Sequence, residues 1–168
     1  HHKIIVIDNR FISERVNQIR NWNIEFIQGD ILDKDLIRKY CEDADVVHHL
    51  AGITDVPRTK SEALASQDNK IKEVGEKGTQ NILDVISEKC KIIFPSTHVV
   101  YEGVNEVLTD IKEDAETKPV LSYSDSKATN ENQLKKSGKN YIILRLGSVY
   151  GYSTDSMRTD IMPNLFSK

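Results

Sequence analysis

Short runs of β-branched and aliphatic residues recur along the chain, separated by longer stretches that mix apolar and polar positions. The runs are Lys3 to Asp8 (KIIVID), Ile24 to Gln28, Asp45 to Leu50, Lys91 to Phe94 and Tyr141 to Leu146. Their near-continuous Ile and Val content is that of strands buried on both faces. Between them, Asp33 to Glu42 opens with an acidic first turn, which suits the positive end of a helix dipole. Ser61 to Lys89 is a long helical candidate interrupted at Gly75 and Gly78, and Ser122 to Ser137 ends at Gly138, a helix-stop signal. Phe11 to Arg20 reads as a short helix or a loop, and Met157 to Lys168 as the start of another helix. Strands alternating with helices imply right-handed crossovers, hence an α/β fold with a doubly wound parallel sheet.

Composition narrows this little further. A chain of 168 residues with 38% hydrophobic and 29% charged content is enough for one domain with a real core. A net charge of −3 with dispersed Lys and Arg speaks against a nucleic-acid or membrane partner. No apolar run reaches the length a bilayer requires, and a cytoplasmic setting is expected. Cys41 and Cys90 have no second thiol or His at metal-ligand spacing and read as packing residues. His48 and His49 are neighbours on a strand, so they face opposite ways and cannot hold one metal together. No metal site is expected.

Ligands of open α/β sheets sit at the carboxyl ends of the strands. The first run ends in Asp8-Asn9, where an acid can accept from both hydroxyls of a ribose and repel a 2′-phosphate, favouring NAD over NADP. The same acid can also simply cap the next turn. The second run ends in Gly29-Asp30-Ile31, where the carboxylate can accept from an adenine amino group and the Ile31 backbone can read the ring edge. The third ends in Leu50-Ala51-Gly52, small enough for close approach of a pyrophosphate and ribose. The glycine-rich turn that precedes the ribose acid by about 20 residues in dinucleotide folds is not found, since only seven residues stand before Asp8. The first strand, that turn and the first helix are therefore expected to lie outside this chain.

Tyr123 and Lys127 form a Y-x-x-x-K, which a helix places on one face. With six tyrosines in the chain the pattern alone is weak, and its weight comes from placement. Upstream, Lys91 to Phe94 runs into Pro95-Ser96-Thr97, a hydroxyl at a strand's carboxyl end. Downstream, Arg145 to Gly151 follows the next strand to the same rim. A phenol of pKa about 10 becomes a useful base at neutral pH only after about 4 kcal/mol of differential stabilisation. A lysine ammonium one turn away and a cationic nicotinamide ring can supply it, while Thr97 can donate to a substrate oxygen as charge develops there.

Taken in order, Asp8-Asn9, Gly29-Asp30-Ile31, His49-Leu50-Ala51-Gly52, Gly78-Thr79-Gln80-Asn81, Ser96-Thr97 with Val100-Tyr101, Tyr123 with Lys127, and Leu144-Arg145 with Val149-Tyr150-Gly151 resemble the extended short-chain dehydrogenases/reductases. The chain is most similar to their NAD-dependent nucleotide-sugar epimerase/dehydratase group. The resemblance implies a Rossmann fold with bound NAD, Tyr123 as base, Lys127 orienting the nicotinamide ribose, and Thr97, His98 and Ser148 near the sugar. A hydroxyl of a nucleotide-linked sugar would lose its proton to Tyr123 as its hydride passes to NAD. Residues 1–150 would be a partial NAD-binding domain, and 151–168 the start of a substrate domain that is mostly absent. The family often pairs through its two long helices, here Ser61 to Lys89 and Ser122 to Ser137, so a homodimer is a further expectation. Three departures bear on the chemistry. Gly75 stands where the family has an Asn supporting the site. His98-Val99 replaces the Asp-Glu pair of 4,6-dehydratases, arguing against that elimination. Ser148 replaces a longer Asn. Two alternatives stand beside the epimerase: an NAD(P)-dependent carbonyl or lactol reductase, and a non-catalytic cofactor-binding or assembly module.

Overall fold

The computed structural model describes residues 2–54, 65–107 and 109–151. Five strands and five helices follow in the order β1 (Ile5–Asp8), α1 (Ser13–Asn21), β2 (Glu25–Gln28), α2 (Lys34–Cys41), β3 (Val46–His48), α3 (Ala65–Lys72), α4 (Gly78–Val85), β4 (Lys91–Thr97), α5 (Ser122–Lys136) and β5 (Asn140–Leu146). All pairings are parallel. β1 pairs with β2 from Ile5–Glu25 to Asp8–Gln28. β4 stands between β3 and β5, with Ile93 opposite both His48 and Ile142. The strands thus form a pair and a triplet that are not hydrogen-bonded to each other. The two sets correspond to positions 3-2 and 4-5-6 of the doubly wound order 3-2-1-4-5-6.

One core nonetheless spans both sheets. Ile31 and Ile37 at α2, Ile82, Leu83 and Ile86 at α4, Ile92 and Phe94 on β4, Cys90 and Leu134 form a single buried cluster, with Ile7, Val47 and Ile143 packed against it from the other strands. Asn81 ties the halves together by donating to the Ile31 and Leu32 carbonyls at 3.0 and 3.2 Å. α2 begins correctly because Asp33 accepts from the Leu36 amide at 3.0 Å, a side-chain cap. The uncertain segment Phe11 to Arg20 is helical from Ser13 onward, and buries Val16 while Phe11 meets Phe26 edge-on at 6.0 Å.

Burial on both faces does not hold for these strands: β1 and β2 are half-buried, with exposed residues at their ends. β4 alternates buried and half-buried positions, and β3 and β5 are largely exposed on one side. The helices of the core cover one face of this triplet. On the other, Val46, Ile142, Leu144 and Leu146 remain 40–46% exposed, because no described element packs there. The long helical candidate exists as α3, a π turn at Glu73–Lys77 and α4 in succession, and Gly138 takes the expected left-handed conformation with φ 70°. Its residues 61–64, and the expected helix and substrate-domain start after Gly151, lie outside the described residues. No helix among those described is long and apolar enough to cross a membrane.

Candidate active site

At the rim of β1 and β2 the expected adenosine-end residues are brought together. Asp8 Oδ1 accepts from the Arg10 amide at 2.8 Å, Asn9 Nδ2 donates to Asp30 Oδ2 at 3.2 Å, and Asp30 Oδ1 accepts from the Leu32 amide at 2.9 Å. The local-turn role weighed for Asp8 is therefore real for one of its oxygens, and the side chain remains exposed. Ile31 is a core residue beneath Gly78, where a Cβ would lie 2.9 Å from it. Gly78 thus earns its place by letting α4 close on the Asp30–Ile31 turn.

Along the rim of β3, Leu50, Ala51 and Gly52 are exposed. A Cβ built on Gly52 meets nothing within 4 Å. His48 is exposed while His49 is 2% exposed, the opposed orientation expected of neighbours on a strand. His49 Nε2 lies 2.8 Å from Thr79 Oγ1 and the ring tilts against Phe94 at 5.3 Å. Burial, assisted by the Lys127 charge, lowers its pKa to about 3, so it stays neutral. No group of acids, His and Cys capable of holding a metal occurs among the described residues.

Thr97 closes β4. Its Oγ1 accepts from the Val99 amide at 3.3 Å, opening the tight turn His98–Tyr101. With an amide donating to that oxygen, the hydroxyl proton is left to donate elsewhere. Tyr123 is half-buried in the first turn of α5, and Lys127 stands one turn later. Lys127 Nζ donates to the Pro95 carbonyl at 2.8 Å and sits 4.4 Å above the Phe94 ring. The helix lysine is therefore pinned to the strand two residues before Thr97. Burial lowers its pKa to about 8. His98 is exposed, with Nδ1 3.1 Å from the Leu146 carbonyl, and Ser148 lies exposed just beyond β5.

A polar network behind this rim was not anticipated. Glu131, whose side chain is 1% exposed, receives Arg145 through Nε at 2.9 Å and Nη2 at 2.6 Å, and the Ser96 hydroxyl at 2.6 Å. Arg145 also donates to the Tyr101 hydroxyl and, at 3.0 Å, to the Glu113 carbonyl. Burial alone would push the Glu131 carboxyl up, but Arg145, Ser96 and Lys135 outweigh it and hold the carboxyl below its usual range. Two signals pointed this way: Glu131 continues the four-residue spacing Tyr123, Lys127, and Arg145 is a charge within an apolar strand, which calls for an acid.

Gly75, the departure expected to weaken the site, is buried within the π turn. A Cβ there would collide with the Ser126 hydroxyl, and Asn130 Nδ2 lies 3.6 Å away. The space an Asn would need is occupied from α5.

The sequence pattern of the NAD dependent epimerase/dehydratase family matches residues 1–168. Among curated relatives, a UDP-N-acetyl-alpha-D-glucosaminuronate decarboxylase of Bacillus cytotoxicus is 32% identical over 102 residues, covering 60% of this chain and 30% of the relative. A UDP-glucose 4-epimerase of Azospirillum brasilense is 30% identical over 139 residues, covering 76% and 37%. The structure of UDP-glucuronic acid 4-epimerase from Bacillus cereus, solved with UDP-glucuronic acid and NAD, superposes with a TM-score of 0.73 at 27% identity, over 96% of this chain and 52% of that one. The chain spans between 24% and 37% of the length of the curated relatives it matches. With the order of its motifs, its parallel sheets and a match over its whole length, the chain belongs to the NAD-dependent epimerase/dehydratase family.

Proposed function

We propose that the protein carrying this chain is an NAD-dependent epimerase, or a related oxidoreductase, acting on a nucleotide-linked sugar, with Tyr123 as base. The observation that carries this reading is the convergence of Thr97, Lys127 and the start of α5 on one rim, with Lys127 bonded to Pro95 of the strand that ends in Thr97. The residues present suit NAD at its two ends. Asp8, Asn9 and Asp30 form a polar cradle at one, and the open space at Gly52 and the Lys127 ammonium flank the other. Leu50 and Ala51 line the rim between them, and Ile31 supports the Asp30 turn. When bound there, NAD supplies a hydride acceptor and, for re-reduction, a donor.

The chain's own residues handle the proton. Tyr123 takes it from a sugar hydroxyl, and the charge of Lys127 one turn away favours the phenolate. Thr97 donates to the same oxygen as it becomes electron-rich. His98 and Ser148 contact the sugar. Family membership, with UDP-sugar enzymes among the relatives, supports the substrate class.

The test is turnover of nucleotide sugars by the intact protein, followed by proton NMR, beside its Tyr123→Phe variant. Loss of about 10²- to 10⁴-fold in rate supports Tyr123 as base, and an unchanged rate refutes it in favour of a non-catalytic module. Cofactor that stays oxidised between turnovers marks an epimerase. Stoichiometric NADH release or NADPH consumption marks the dehydrogenase or reductase instead.

A further inference from the structure

α5 begins behind Leu121, whose side chain has no acceptor for the backbone groups around the helix start. An acceptor for the amides just ahead of the helix comes from Glu102, on the turn that follows Thr97. A single oxygen, Oε1, accepts from the Val120 amide at 2.8 Å, the Leu121 amide at 2.7 Å and the Ser124 hydroxyl in a short bond. Ser124 is fully buried, and its Oγ in turn accepts from the Leu121 amide at 3.2 Å. The backbone beside it is also paired: Lys118 donates to Val100 and Gly103 donates to Lys118, both at 2.8 Å. A Cβ on Gly103 would sit 2.6 Å from the Lys118 carbonyl, so the approach needs glycine. The adjacent residue of the same turn, Tyr101, is held by Arg145 through its hydroxyl.

We propose that Glu102 is a positioning residue: its carboxylate clamps the start of α5 to the turn carrying Thr97 and thereby sets the separation between the Tyr123 and Thr97 hydroxyls. This rests on the function proposed above. Glu102 lies five residues after Thr97, and the amides it holds lie two and three residues before Tyr123, so little slack separates the clamp from either group. A shift of about 1 Å between reacting groups can cost about 100-fold in rate.

The experiment compares Glu102→Ala and Glu102→Gln in the full-length protein. Glu102→Ala is expected to lower kcat roughly 10- to 100-fold, with KM for the nucleotide sugar and NAD content within about 2-fold. Glu102→Gln keeps an oxygen at the same reach and is expected to recover most of kcat. A merely architectural role predicts less folded protein but normal kcat per folded molecule, and no rescue confined to kcat. Hydrogen exchange at the Val120 and Leu121 amides gives a readout independent of activity, expected to accelerate about 10-fold in Glu102→Ala. Should that variant not fold, Ser124→Ala removes one arm and is expected to cost kcat several-fold. Normal kcat in a folded Glu102→Ala, or unchanged protection at both amides, overturns the proposal. A wild type inert on every nucleotide sugar overturns the parent reading and the positioning role with it, whereas an active wild type matched by Glu102→Ala overturns the positioning role alone.

Discussion

Replacing Arg145 by Leu isolates what the buried network contributes. The substitution removes two charge-assisted hydrogen bonds to Glu131, one to the Tyr101 hydroxyl and one to the Glu113 carbonyl. It also leaves a carboxylate 1% exposed, with only the Ser96 hydroxyl at 2.6 Å and Lys135 at 3.5 Å to answer it. Breaking a buried pair from one side costs about 3–5 kcal/mol, and the surviving partners place this case near about 3 kcal/mol. Adding Glu131→Leu removes the stranded charge, and the double variant is expected to recover about 2 kcal/mol of the loss, since an apolar pair of similar volume is often tolerated.

The pH dependence gives a second, signed check. In the wild type the folded carboxyl is held below its unfolded value of about 4.3. Its contribution is therefore complete above that value and is lost as pH falls through the folded pKa. Without Arg145 two of the opposing causes are gone while burial remains, so the folded pKa shifts upward relative to the wild type. The variant then gains relative to the wild type as pH falls from 7 toward about 4.3. Urea denaturation of both proteins at pH 7 and 5 measures this. A cost under about 1 kcal/mol at pH 7, or one that grows at pH 5, would refute the reasoning.

Three further outcomes are expected. Asp8→Ala should weaken NAD binding about 10-fold, about 1.4 kcal/mol, while improving NADP relative to NAD, and titration calorimetry with both cofactors checks it. Gly75→Asn should cost about 2 kcal/mol through overpacking, and Ser126→Gly in the same chain should recover a large part, seen as non-additivity in urea midpoints. Lys127 carries a folded pKa near 8 against an unfolded value of about 10.4, so its burial costs stability at neutral pH, and that cost is relieved as pH rises through this interval. Lys127→Met should flatten the corresponding rise relative to wild type. The raised pKa values of Cys41 and Cys90, both caused first by burial, act in the opposite direction and cancel in the comparison.

The alternation of Ile-Val runs with helical spacing was enough to read the parallel sheets, because each run is a strand and each connection a crossover. Strand lengths were less legible where polar residues are satisfied by partners distant in sequence. β4 continues through Pro95, Ser96 and Thr97 because Ser96 donates to Glu131, thirty-five residues on, and because Pro95 lies past the last residue paired with β3, where the missing amide leaves no partner on that strand unsatisfied. The one-sided burial of β3 and β5 was illegible for a related reason. A strand's own composition records that a face is apolar, not which element covers it. Among site residues, Tyr123, Lys127 and Thr97 were visible as reactive types at meaningful positions. Glu102 was not, since a lone acid in a loop gives no hint that two amides and a hydroxyl eighteen to twenty-two residues away converge on it.

The placement of these ties bears on how the site tolerates change. Thr97 and Tyr123 belong to different elements, and three polar links join those elements within a few residues of the pair: Lys127 to Pro95, Glu131 to Ser96, and Glu102 to the start of α5. Each link joins α5, or the residues leading into it, to β4 or the turn just beyond it, so together they resist both sliding and tilting of the helix over the strand. Apolar packing alone is weakly directional and would allow such motion at small cost, whereas hydrogen bonds at 2.6–2.8 Å weaken steeply with misalignment. Ser126 at Gly75 adds a steric stop from the π turn on the same helix. An Asn at position 75 could support the site from the α3–α4 side. This chain instead brings α5 against a bare backbone there, and the alignment of Tyr123 then depends on the links to β4 and Glu102. Losing any one link should therefore impair alignment before it impairs folding.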